Sequence, residues 1–318
     1  MLVLSGFSHP QLAAALSKSL SAPLVHRTIS RFSDQTFKIR INSNVKDKTV
    51  IIVQTLIRPV HDHLVELLLL ADACKSADSK KIIAVIPYLA YSKQDQIFLS
   101  GEPLSARVIA QVLSSASIDE IIALDLHHDH IAKFFSVPIH NLSFLPALIH
   151  ETNTVVAPDK GAVSRARTVA EKLSLPLITI DKHRDLVTGK VSIKGIGRRD
   201  LAAQQGLSLK DLKGKNCLIV DDLIVTGATL AAAAKFLKSR GAQTVSVFAT
   251  HGLFTNGFQK LRSSGINSIT VSDSIPHKNL PSWIKTISIV PTLTGTINNI
   301  INGYNGYNGL KGYNGCNS

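Results

Sequence analysis

The stretch NCLIVDDLIVTGATL at 216–230 joins an apolar run, a pair of carboxylates and a small-residue turn. Read as a buried strand, a loop and the start of a helix, it places Asp221 and Asp222 at the carboxyl edge of an open α/β sheet, where ligands sit. Backbone amides in a turn such as Val225, Thr226, Gly227 and Ala228 converge on a phosphate, and the dipole of the following helix favours the anion. Thr226 and Thr229 add hydroxyls, and the paired acids suit sugar hydroxyls or a bound cation. Acids that merely capped the strand and helix would not need the threonine-glycine turn beside them. The pattern predicts a phosphate cradle over 220–230.

Other residues carry chemistry only in context. DLHHDH holds His127, His128 and His130, three histidines within four positions, a grouping that also suits a transition-metal site. Asp159 follows a proline and reads by itself as a turn aspartate. Lys182 and Arg184 flank His183 in what alone is a solvated charge run, and Lys93, Gln94 and Asp95 form a polar turn. Phe32 and Asp34 lie in the short polar segment RFSDQTF.

The elements that must position these groups alternate along the chain. Residues 49–55, 81–87, 120–126, 154–157, 177–180, 216–221 and 244–250 read as buried strands, and 62–77, 106–115, 164–173 and 228–241 carry helical spacing. That alternation predicts an α/β fold with mostly parallel sheet flanked by helices. The series runs twice, giving domains at 1–147 and 148–295. From residue 296 the composition turns to Tyr-Asn-Gly repeats that cannot bury a core, so 296–318 is expected as a flexible tail.

Composition narrows the function classes. Apolar residues make up 45% and charged residues 18%, an ordinary globular balance. The net charge is +13, but the basic residues are dispersed and aromatics are only 5%, which suits phosphorylated substrates and argues against dedicated nucleic-acid binding. No apolar run approaches the roughly 20 residues of a membrane span. Cys74, Cys217 and Cys316 are too scattered for a disulfide framework, and the amino terminus lacks the basic leader of a signal peptide, so a cytoplasmic location is expected.

The 220–230 loop resembles the phosphoribosyl-pyrophosphate motif of the phosphoribosyltransferase fold. LSGFSHPQLAAALSKSL, RFSDQTFKIRIN, IPYLAYSKQDQIFLSGEPLSARVIAQVLSS, ALDLHHDHIAKFFSVPIHNLS, APDKGAVSRARTVAEKL, FATHGLF and SDSIP resemble, in order, segments of the ribose-phosphate pyrophosphokinase family. The resemblance covers residues 1 to about 295 and implies two phosphoribosyltransferase-like domains. It implies transfer of the diphosphoryl group of ATP to the anomeric hydroxyl of ribose 5-phosphate, with Mg2+ as cofactor. Lys182 and Arg184 then match a catalytic loop, and Phe32, Asp34, Lys93, Gln94, Asp95 and His127 match the ATP-binding positions. His127 and Asp159 match metal positions, whereas His128 and His130 have no counterpart and are read as surface residues. Asp221, Asp222, Val225, Thr226, Gly227, Ala228 and Thr229 become the ribose 5-phosphate loop. The family's adenine hairpin reaches a neighbouring subunit, which implies a homo-oligomer. Thr36, Gln96, Ile97, Val225 and Ala228 depart from the usual residues, so a noncatalytic homologue that regulates an active synthetase is the second reading.

Overall fold

The computed structural model describes residues 1–145, 152–184, 191–196 and 212–303, with only the backbone for 182–184 and 191–196. Two compact units emerge: Met1–Ser143 together with the segment from Ile289 onward, and Phe144–Ser288. In the first, the chain runs β1 (Leu2–Ser5), α1 (Pro10–Ser19), β2 (Arg27–Arg31), β3 (Phe37–Ile41), β4 (Thr49–Val53), α2 (Val60–Ser76), β5 (Lys81–Ile86), α3 (Ser105–Ser115), β6 (Glu120–Leu124) and β7 (Ile139–Leu142). The sheet order is β1-β4-β5-β6-β7, with every pairing parallel. β2 and β3 form a separate antiparallel hairpin.

Continuous apolar runs explain this sheet. Val50, Ile51, Ile52 and Val53 in β4, and Ile82 to Ile86 in β5, are buried throughout, as strands covered on both faces require. Helix α1, which strand periodicity overlooks, begins at Pro10, and the Leu12 N–H donates to His9 Nδ1 at 3.2 Å as a side-chain cap.

The second unit runs β8 (Thr154–Ala157), α4 (Val163–Leu173), β9 (Leu177–Arg184), β10 (Val191–Ile196), β11 (Asn216–Ile224), α5 (Ala228–Ser239), β12 (Thr244–Gly252), α6 (Gln259–Ser263), β13 (Ser268–Ser272) and β14 (Ile284–Ile287). Its sheet order is β10-β9-β8-β11-β12-β13-β14, parallel except for the β9–β10 pair. The chain then returns to the first unit as α7 (Val290–Ile301), which packs on α1. Leu293, Thr296 and Ile297 of α7 are buried, and Ser19 Oγ meets Thr294 Oγ1 at 2.8 Å. A flexible tail from residue 296 therefore does not hold for 296–301. Leu293 and Ile297 stand four apart on one helical face, a signal masked by the low-complexity residues that follow. Among the described residues, no helix is long and apolar enough to cross a membrane.

Two local devices hold the carboxyl edges. In the first unit Gln54, just past β4, is fully buried; its Oε1 accepts from Ser8 N–H at 3.1 Å and Ser8 Oγ–H at 2.7 Å. Gln54 Nε2 donates to His63 O at 3.1 Å and to Glu66 Oε2 at 2.5 Å, while the Phe7 N–H donates to Glu66 Oε1 at 2.9 Å. The loop after β1 is thereby tied to β4 and α2. In the second unit Gly227 caps α5 with φ +75°, and a Cβ there would stand 2.6 Å from Leu261 Cδ2. Gly227→Ala should therefore cost about 2 kcal/mol or more, from a left-handed backbone and a clash in the core, read as a lowered urea midpoint.

Burial pushes the Glu66 carboxyl above its ordinary value of 4.5, outweighing the opposing hydrogen bonds from Gln54 and Phe7. A raised folded pKa means that this contribution is fully present below the unfolded value and is lost as pH rises through the folded one. Urea unfolding of Glu66→Gln should accordingly show a flatter fall in stability above pH 4.5 than the native chain; identical slopes would contradict this role.

Candidate active site

The turn at the expected phosphate cradle is shorter than its sequence pattern suggests. β11 continues through both acids to Ile224, past the expected end at 221, and α5 opens at Ala228, where the helical spacing places it. Pairing to β12 sustains the extension, with Asp221 opposite Ala249 and Leu223 opposite His251. Only Val225, Thr226 and Gly227 remain between strand and helix.

This turn is anchored from behind. The Ile224 carbonyl accepts from the Leu253 N–H at 2.7 Å, and the Val225 carbonyl accepts from the Thr255 N–H at 2.9 Å and its hydroxyl at 3.2 Å. Thr226 and Ala228 are exposed, Thr229 is half-buried and Gly227 is buried. The Ala228 N–H donates to Thr226 Oγ1 at 3.3 Å. With carbonyls held toward the protein and the start of a twelve-residue helix toward solvent, the turn has the polarity of an anion site.

The two acids differ. Asp222 is buried, with Arg165 Nη1 at 4.0 Å from its Oδ1, whereas Asp221 is half-buried and its Oδ1 accepts from the Asp222 N–H at 2.9 Å. Asp159, just past β8, uses Oδ1 to accept from the Gly161 and Ala162 N–H groups at 3.1 and 3.2 Å, ahead of α4. Both the turn role and a position at the sheet edge are realised in one residue. Lys182 and Arg184 lie at the end of β9, and their side chains fall outside the described residues.

The remaining expected positions belong to the first unit. Phe32 and Asp34 occupy the tip of the β2–β3 hairpin; Phe32 is 50% exposed, with Lys38 Nζ 5.8 Å from its ring centroid. Asp34 Oδ1 accepts from the Thr36 hydroxyl at 2.7 Å and the Thr36 N–H at 3.0 Å, and these bonds lower its pKa, the hydroxyl most. Thr36, a departure from the resembled pattern, thus orders the tip.

Lys93 and Gln94 are exposed in the segment after β5, but Asp95 is only 4% exposed. His128 Nδ1 lies 2.5 Å from Asp95 Oδ2, and His130 Nε2 lies 3.3 Å from the same oxygen. His127, half-buried just beyond β6, meets the His128 ring edge to face at 4.5 Å. The turn that places these histidines begins at Asp125, with φ +41°, and is held by the Leu126 N–H donating to Asn141 Oδ1 at 3.0 Å. His128 and His130 are therefore partners of Asp95 as well as surface residues. The histidine cluster was the available signal, but a sequence separation of more than thirty residues hid the carboxylate it faces.

Comparison with known proteins places these two units. The N-terminal domain of ribose phosphate pyrophosphokinase matches residues 1–117, and the phosphoribosyl transferase domain matches residues 140–267. A ribose-phosphate pyrophosphokinase of Ralstonia nicotianae is 34% identical, the alignment covering 95% of this chain and 96% of that one. The Agrobacterium fabrum protein of the same name is 35% identical, also over 95% of this chain and 96% of its own. In three dimensions, phosphoribosylpyrophosphate synthetase from Mycobacterium smegmatis superposes with a TM-score of 0.83 at 29% identity, covering 95% of this chain and 99% of that one. An α/β chain with a hairpin-bearing first unit, a strand–turn–helix motif in the second and this similarity along nearly its full length belongs to the ribose-phosphate pyrophosphokinase family.

Proposed function

We propose that the chain transfers the β,γ-diphosphoryl group of ATP to the anomeric hydroxyl of ribose 5-phosphate, releasing AMP. The observation that carries this reading is the turn Val225–Gly227, anchored through its carbonyls and open at the α5 amino terminus, in a chain of this family. The 5-phosphate sits on that turn, with Thr226 and Thr229 as hydroxyl donors and Asp221 and Asp222 for the sugar hydroxyls. In the reaction the anomeric oxygen forms a bond to the β-phosphorus and loses its proton. The bond from the β-phosphorus to the oxygen of AMP breaks, and AMP leaves with the electron pair. Such a step requires the groups in line and negative charge stabilised as it shifts.

Phe32, Asp34, Lys93, Gln94, Asp95 and His127 form the ATP side. The half-exposed Phe32 presents a ring face for the adenine of a neighbouring copy, which supports a homo-oligomer. Lys182 and Arg184 supply cationic donors to the transferring group. Mg2+, a hard ion that binds through one or two carboxylates and substrate phosphates, suits the Asp159 carboxylate at the edge of the second unit's sheet. Bound there, Mg2+ would neutralise phosphate charge and lower the electrostatic barrier to attack.

The reaction belongs in the cytoplasm. That assignment is supported by Cys74 and Cys217 being free thiols and not a disulfide.

The test is AMP release from ATP and its dependence on ribose 5-phosphate. Lys182→Ala should lower kcat about 10²- to 10³-fold, as loss of a transition-state donor does, with the thermal unfolding midpoint unchanged. An unaltered rate would remove Lys182 from the mechanism. Absence of AMP release from the native chain, with stimulation of an active synthetase instead, would overturn the catalytic reading.

A further inference from the structure

His128 and His130 have no part in the ATP side proposed above, yet both converge on Asp95. The Asp95 side chain is 1% exposed, and its partners among the described residues include no lysine or arginine. Two imidazoles converge on one oxygen: His128 Nδ1 at 2.5 Å and His130 Nε2 at 3.3 Å from Oδ2. The other oxygen, Oδ1, is buried with no hydrogen-bond partner. A buried carboxylate in this setting is unfavourable, and a cation bound to it would neutralise charge that the two imidazoles alone do not.

The geometry suits a metal ion. One nitrogen from each histidine and one Asp95 oxygen all lie within 4.8 Å of one another. A tetrahedral ion with bonds of about 2.1 Å sets its ligands roughly 3.4 Å apart. The His130–Asp95 distance already has that value, and His128 must withdraw by about 1 Å. His128 and His130 have 38% and 47% of their side chains exposed, so they can make this adjustment and an ion can enter. Two imidazoles and one carboxylate select a first-row transition ion over Mg2+, which prefers oxygen alone.

We propose that Asp95, His128 and His130 bind one divalent transition-metal ion of borderline softness, such as Zn2+, with a fourth position open to water or a ligand oxygen. The ion clips the segment after β5 to the turn after β6. It lies beside His127 but is distinct from the Mg2+ assigned to the nucleotide. The site does not depend on diphosphoryl transfer, since a chain that released no AMP would still take up Zn2+.

The experiment is titration of the metal-free, full-length chain with Zn2+ in the absence of nucleotide, read by competition with a chromophoric chelator. One equivalent should bind and raise the thermal midpoint by mass action. His128→Asn and His130→Asn should each weaken binding by about tenfold or more, and the double variant should lose it, because three ligands are needed to hold the ion. Co2+ in the native chain should show the intense visible bands of a four- or five-coordinate ion, an assignment that requires no variant. Equal Zn2+ affinity in the double variant, no binding by the native chain, or a weak octahedral Co2+ spectrum would overturn the proposal.

Discussion

Both sheets are covered on both faces, and this constraint decides where the protein can do chemistry. Strands β4, β5, β8 and β11 contribute runs of side chains with almost no exposure, so a polar group within those runs would lose water without gaining a partner. Polar residues enter as the strands finish. Gln54 and Thr55 follow β4, Asp125 follows β6, Asp222 lies near the end of β11, and Thr250 and His251 near the end of β12; all are buried. Each expected substrate residue outside the β2–β3 hairpin lies at or just beyond the carboxyl end of a strand, or in the segment that follows it.

A buried polar edge is stable only if its members satisfy one another. In the first unit Gln54 meets this condition with both ends of its amide, accepting from Ser8 and donating to Glu66 and His63. Glu66 pays for its burial with a raised pKa, and in return its carboxylate fixes the Phe7 N–H and hence the loop after β1. In the second unit the same task falls to backbone groups. The carbonyls of Ile224 and Val225 point at residues 253–255, which leaves the following turn oriented for an anion. Gly227 permits the abrupt change from strand to helix, because both its φ and its distance from Leu261 exclude a larger residue.

Asp95 shows the opposite case. Its carboxylate is buried with one oxygen engaged and one without a partner, beside two partly exposed histidines. A buried carboxylate oxygen without a hydrogen-bond partner calls for an explanation, and an unassigned ion is one.

The sequence by itself determined the α/β class, most strand positions and the place of the turn between β11 and α5, because each follows from signals within about fifteen residues: apolar runs, helical spacing, and two acids ahead of Thr-Gly. The order of motifs also made the family legible. Tertiary structure decided what local patterns cannot carry. Pairing with β12 extended β11 past its acids, packing against α1 brought α7 back to the first unit, and folding set Asp95 against His128 across more than thirty residues. The physical reason is the same in each case: strand pairing, helix docking and the partnering of a buried charge are settled between segments distant in the chain, whereas propensity and hydrophobic periodicity report only on neighbours.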